Sequence, residues 1–213
     1  MIEKILLPAL GQTLVMVIVS TILAIIVGFI PAIIMIITGK DGLRPNEAVY
    51  KILDAFINIL RSFPFIVLMV ILIPFTRFIV GRSIGTAAAI VPLTIGSAPF
   101  VARIIEAALK EVDKGVIEAA KSFGASTSQI IFKVMLPEAL PSIISGITLT
   151  VISIVGFSAM AGAIGAGGLG AVAINYGYQM FRNDILIATV IVLIILVQGL
   201  QSIGTIVYKK VNK

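Results

Sequence analysis

The 213-residue chain contains no cysteine and no histidine. Without cysteine there is no disulfide and no thiol nucleophile. Without either residue there is no His-based triad and no zinc site of the usual nitrogen and sulfur ligands. Charge is scarce as well: Asp, Glu, Lys and Arg make up 12 % of the residues, about half their share in a soluble domain. No acidic residue falls near the middle of any long apolar run, and no internal repeat is visible. An ion-coupled secondary transporter, the main rival reading from another transport class, would call for both. Lysine is also missing from the runs, which leaves no Ser–Lys pair for an intramembrane hydrolase. Finally, no G-x-x-x-x-G-K-[ST] segment occurs, so the chain cannot hydrolyse ATP alone.

What fills the sequence instead is apolar: 59 % of residues are hydrophobic and the mean hydropathy is +1.17. Such a chain is an integral membrane protein. Measured against the roughly 20 helical residues that cross a bilayer, five runs qualify: Thr13–Thr38, about Ala55–Phe75, about Ile84–Val101, Leu140–Ile164 and Ile185–Val207. The first is too long for a signal-peptide core and is read as retained. Backbone groups in lipid must be satisfied within their own segment, so the spans are helices and the fold is all-α. Pro31, Pro64, Pro74, Pro92 and Pro99 lie in or beside spans and are expected to kink or interrupt them. The chain reads as one domain, with its core at about 13–207 and a polar interval at about 103–137.

Five spans put the two termini on opposite faces. Of the sixteen Lys and Arg residues, eleven then fall on the face that carries 40–51, 103–133 and the tail, and four on the other, with Arg61 inside a span. Basic residues accumulate on the cytoplasmic side, so the N-terminus is expected outside and the C-terminus in the cytoplasm. Arg61 is a candidate functional intramembrane charge; snorkelling to the headgroups is the alternative. A nucleic-acid arm would instead cluster its charge in one segment.

The interval from Arg103 to Pro137 is too long for a tight turn and too apolar for a disordered loop. Val116, Ile117, Ala119 and Ala120 give a short helix a small apolar face, and Gly124 suits the left-handed position that ends one. Ser126-Thr127-Ser128-Gln129 has the form of a capping box. It is expected to open a second short helix that Pro137 stops. The resulting plug could lie on lipid headgroups. Its small residues favour a protein partner whose groove closes over the backbone.

Glu118-Ala119-Ala120, then Gly124, then Leu136-Pro137 at their spacing resemble the EAA signature of permease subunits in bacterial ATP-binding-cassette importers. Arg61-Ser62-Phe63-Pro64-Phe65, Ile73-Pro74-Phe75-Thr76-Arg77, Ala98-Pro99-Phe100, Leu136-Pro137-Glu138-Ala139-Leu140-Pro141 and Gly165-Ala166-Gly167-Gly168-Leu169-Gly170 are similar to the methionine-importer branch, and the likeness runs along essentially the whole chain. It implies a type I importer permease of five transmembrane helices, with a cytoplasmic coupling-helix loop between helices 3 and 4. Glu118, Ala119, Ala120, Gly124, Leu136 and Pro137 would couple to the ATPase subunit. The chain would pair with a second copy of itself and with two ATP-binding cassette subunits, which bind ATP and Mg; the chain itself would bind no cofactor and catalyse nothing. A lipid-anchored extracytoplasmic binding protein would deliver methionine, L- and also D-, or else another small amino acid or peptide. Phe157 and Met160 become candidate substrate-pathway residues, since a thioether suits polarisable and aromatic neighbours; relatives carry a tyrosine at position 157's place, so a hydroxyl contact there is missing. The Gly165-x-Gly167-x-x-Gly170 pattern formally matches a dinucleotide fingerprint, but it follows a membrane helix rather than a strand and is read as a tight external turn.

Overall fold

The computed structural model describes residues 2–212, and the side chains of 4–212, as helices joined by short turns, with no strand among the described residues. In chain order these are α1 (Ile2–Thr38), α2 (Glu47–Ser62), α3 (Phe65–Ile71), α4 (Ile73–Val80), α5 (Thr86–Lys110), α6 (Lys114–Ser122), α7 (Thr127–Gln129), α8 (Leu136–Ala163), α9 (Gly168–Val172) and α10 (Asn183–Val211). π-helical segments at Ile130–Met135 and Ala173–Gln179 follow α7 and α9. Four helices are long and apolar enough to cross a bilayer: Lys4–Thr38, Thr86–Lys110, Thr127–Ala163 and Asn183–Val211.

The remaining expected span, about Ala55–Phe75, is not one continuous helix: α2 and α3 pass the test of length and hydropathy only together, and they meet at a bend of 102°. The break lies at Phe63-Pro64, where Phe63 is extended at φ −72° and ψ 130°. A residue before proline is pushed out of the helical region by the proline ring, and here nothing opposes it. Pro74 stands in the first turn of α4, where its missing N–H costs nothing. Pro31, Pro92 and Pro99, by contrast, lie inside continuous helices. Of the five prolines expected to disturb spans, only Pro64 breaks one and only Pro74 starts one.

α5 is the central element. Two thirds of the residues in its most apolar stretch are buried, 67 % against 11 % for α10. It packs on α1 with so little clearance that a Cβ at Gly28 would sit 2.5 Å from the Ala98 carbonyl oxygen; glycine is what lets the two backbones meet. One apolar cluster, including Met35, Val101, Ile105, Leu109, Ile131 and Ile143, binds α1, α5 and the start of α8 at the end that carries α6. A second, including Met16, Phe65, Met69, Leu93, Ile154 and Ala161, fills the other half.

The interval between α5 and α8 differs from expectation in two respects. Pro137 does not end a helix; a continuous helical path runs from Thr127 to Ala163. The reason lies in the π segment, where Leu136 N–H donates to the Ile131 carbonyl. Shifting the ladder by one residue just before the proline lets the chain pass a position that lacks a donor. α5 likewise extends through Arg103 to Lys110, so the polar interval outside the long helices is only about 111–126.

Candidate coupling loop and translocation cleft

α6 is fixed at both ends by its own sequence. Asp113 caps its start, Oδ1 accepting from the Gly115 and Val116 N–H groups at 2.8 and 3.2 Å. At its end Gly124 has φ +75°; its N–H donates to the Lys121 carbonyl and the Ala125 N–H to the Ala120 carbonyl. That pair of bonds is a Schellman motif, with glycine at the left-handed position. The capping box then opens the next helix: Ser126 Oγ accepts from Gln129 N–H at 3.3 Å, and Gln129 Oε1 accepts from Ser126 N–H at 2.8 Å.

The six residues expected to couple divide by face. Glu118, Ala119 and Gly124 are exposed on or just after α6, while Ala120 is half-buried and packs with Ile117, Ala125 and Leu136 on the large apolar cluster. Leu136 therefore joins the foundation of the loop. Pro137 is exposed in the first turn of α8. Phe123, which residue-type reasoning did not single out, is 92 % exposed at the tip.

A polar ladder behind the loop also escaped the sequence reading. Tyr50, Asp54, Asn58 and Arg61 recur at helical spacing along α2, and each meets α5. Tyr50 OH donates to Glu106 Oε1 at 2.9 Å. Arg103 donates to Asp54 and, at 3.1 Å, to Asn58 Oδ1. Glu106, 2 % exposed, also accepts from Arg103 Nη1 and Lys110 Nζ, both at 2.7 Å. The two carboxylates and two cations balance. The readable signal was the spacing, since Arg103 and Lys110 stand three residues before and four after Glu106. Arg61 is the last rung: its guanidinium lies 5.1 Å from the centre of the Phe100 ring, a cation–π distance.

Phe100 forms one wall of a cleft of about 180 Å³ between α5 and α8, with Ser97, Ile104, Leu149, Ser153 and Phe157. Phe157 is held by a stacked ring, Phe65, at 4.4 Å between centres and 14° between planes. Met160, one turn further along, is half exposed and does not line this cleft. The structure thus brings Phe157 and, through Phe100, Arg61 to one place, and leaves Met160 outside it.

At the opposite end of the bundle, the turn 165–168 leads into α9 with no strand before it. Gln12 Oε1 and Thr13 Oγ1 of α1 accept from the Gly168 and Leu169 N–H groups at 2.7 and 2.9 Å. Thr86 Oγ1 donates to the Ala166 carbonyl at 3.2 Å. The glycine pattern serves as a turn pinned between α1 and α5, with the Gly165, Ala166, Gly168 and Leu169 N–H groups already in use.

Comparison with known proteins gives a consistent result. A family model described as the binding-protein-dependent transport system inner membrane component matches residues 24–213. The chain is 51 % identical over 210 residues to the probable D-methionine transport system permease protein MetI of Vibrio cholerae, covering 99 % of this chain and 93 % of that one. It is 49 % identical over 180 residues to the methionine import system permease protein MetP of Bacillus subtilis, covering 84 % and 81 %. A solved structure of the MetNI methionine ABC transporter, inward facing, matches with a TM-score of 0.97 at 43 % identity over 99 % of this chain and 98 % of that one.

Proposed function

This chain belongs to the family of binding-protein-dependent transport system inner membrane components, and we propose that it is the permease subunit that carries methionine across the cytoplasmic membrane. Two copies pair with two ATP-binding cassette subunits, which hold ATP and Mg, and an extracytoplasmic lipid-anchored protein presents the amino acid. The N-terminus lies outside and the C-terminus in the cytoplasm, as the distribution of basic residues favours.

The observation that carries this reading is the pre-ordered α6. A short helix capped at both ends, exposing Glu118, Ala119, Phe123 and Gly124 while Ala120 and Leu136 root it in the core, is a rigid projection suited to a groove on another protein. A loop built only to join two spans has no need of an N-cap, a Schellman end and a capping box within 17 residues, 113–129. The methionine named for the 51 % and 49 % identical relatives supports the choice of cargo.

The test is co-purification with the ATP-binding partner, followed by methionine uptake in proteoliposomes. The wild-type complex is expected to take up methionine at the expense of ATP. Beyond its chain neighbours nothing lies within 4 Å of where a Cβ would stand at Gly124; a side chain there is strained by the φ of +75°, by roughly 1–2 kcal/mol, but meets no packing clash, so Gly124→Trp is expected to leave the transmembrane bundle folded and to lose the partner or uncouple its ATPase. A Gly124→Trp complex that forms and transports normally would remove α6 from the drive train.

A further inference from the structure

A second groove, of about 230 Å³, runs between α1, α2 and α5, and no residue that lines it has a polar side chain. Val27, Pro31, Leu53, Phe56, Ile57 and Pro99 are among its walls. It opens outward between apolar side chains that are themselves exposed, Val27 and Ile30 on α1 and Phe56 and Ile59 on α2. In a bilayer that mouth faces acyl chains. Left empty, the groove forfeits dispersion contacts along its walls, and a lipid chain, as apolar as leucine, restores them.

Apolar walls alone do not choose among lipids. The loop that joins α1 to α2 adds charge at one end of the groove. Its two acidic neighbours are engaged, Asp41 by Lys114 of α6 at 3.6 Å and Glu47 by Lys51 at 2.7 Å. Lys40 and Arg44, both exposed, make no ion pair among the described residues. The loop is seated on the end of α1, since Arg44 N–H donates to the Ile37 carbonyl and Asn46 N–H to the Thr38 carbonyl, both at 2.9 Å. Pro31 stands six residues before Ile37, so the groove begins about 9 Å along the helix from the two cations. The headgroup layer is roughly 5–8 Å thick on each side of the hydrocarbon. Cations at that height meet phosphate while the groove lies among the chains. A free phosphate would use the cations and leave the groove empty; an amphiphile with an anionic head uses both. We propose that groove and loop together hold one anionic phospholipid of the leaflet on the α6 side, an acyl chain lying between α1 and α2 and the phosphate on Lys40 and Arg44. Basic pockets beside transmembrane helices recognise such headgroups.

The chain contains no tryptophan, so Ile59→Trp, at an exposed position one turn beyond Phe56, places a single indole at the mouth of the groove. The full chain carrying it is reconstituted in phosphatidylcholine vesicles that contain increasing shares of brominated phosphatidylglycerol or brominated phosphatidylcholine, and quenching of the indole reports which lipid sits there. Phosphatidylglycerol is expected to be preferred by roughly fivefold for each cation. Lys40→Gln/Arg44→Gln is expected to abolish the preference, and the charge-matched Lys209→Gln/Lys210→Gln to leave it unchanged. Val27→Phe, which adds bulk at the rim, is expected to weaken phosphatidylglycerol binding severalfold although both cations remain. Equal quenching by the two lipids, a preference that survives Lys40→Gln/Arg44→Gln or falls as far with Lys209→Gln/Lys210→Gln, or no effect of Val27→Phe would each overturn the site. So would quenching by neither lipid, the sign that a second copy of the chain or another protein covers the groove.

Discussion

Glu106 offers a sharp test of how α2 and α5 are held together. The substitution Glu106→Gln keeps the side chain's volume and removes its charge. In the native chain the carboxylate is 2 % exposed and accepts from Arg103, Lys110 and Tyr50 at 2.7 to 2.9 Å. The amide can accept through one oxygen only, and its NH2 faces a cation, donor against donor. Breaking a fully buried pair from one side costs roughly 3–5 kcal/mol, but two features lower the figure here. Arg103 keeps Asp54 and Asn58, and the Lys110 side chain, 48 % exposed, can turn to water. About 2 kcal/mol remains, the worth of a hydrogen bond to a charged group, which for a chain of this size shifts Tm by about 4–8 °C. The assay is thermal unfolding of the purified complex in detergent, read beside methionine uptake per ATP hydrolysed. The Glu106→Gln/Lys110→Met double variant should recover part of the loss, because it removes the cation left without a partner. A Glu106→Gln shift of less than about 1 °C, with transport unchanged, would show that the ladder does not hold the helices in register.

Other outcomes follow from single contacts. Phe123→Ala is expected to leave the Tm of the isolated permease unchanged, because the ring is 92 % exposed, and to weaken capture of the ATP-binding partner about tenfold or more in a pull-down titration, as loss of an aromatic anchor does. Gly28→Leu is expected to destabilise the bundle by roughly 1–3 kcal/mol, read as a lower Tm, since even its Cβ would lie 2.5 Å from the Ala98 carbonyl oxygen.

Much of the fold was legible because bilayer physics leaves few choices. Long charge-free runs become spanning helices, and α1, α5, α8 and α10 lie where the apolar runs put them. The local chemistry of the loop was legible too: Gly124 and the Ser126–Gln129 box adopt the geometries that their residue types favour. Two things were not. Whether a proline breaks a membrane helix depends on whether neighbours re-satisfy the backbone, which is why Pro64 ends α2 while Pro31, Pro92 and Pro99 stay inside helices. The π turn before Pro137 belongs to the same class. The polar ladder was missed because charge was scored by its membrane depth and not by helical face. Arg61 looked isolated in a span although Tyr50, Asp54 and Asn58 precede it on the same stripe of α2.

That stripe changes how force from α6 can reach the cleft. α6 is rooted through Ile117, Ala120 and Ala125 in the cluster that contains Ile105 and Leu109 of α5, so a displacement of α6 would pass first to the end of α5. From there the ladder divides the load. Glu106 and Arg103 tie α5 to Tyr50, Asp54 and Asn58, and α2 returns to α5 one rung further, at Arg61 over Phe100. Phe100 is one wall of the cleft and Phe157 another, and Phe65, just past the 102° bend at the end of α2, stacks on Phe157. Both aromatic walls are therefore attached to α2, one by a cation–π contact and one through the break at Pro64.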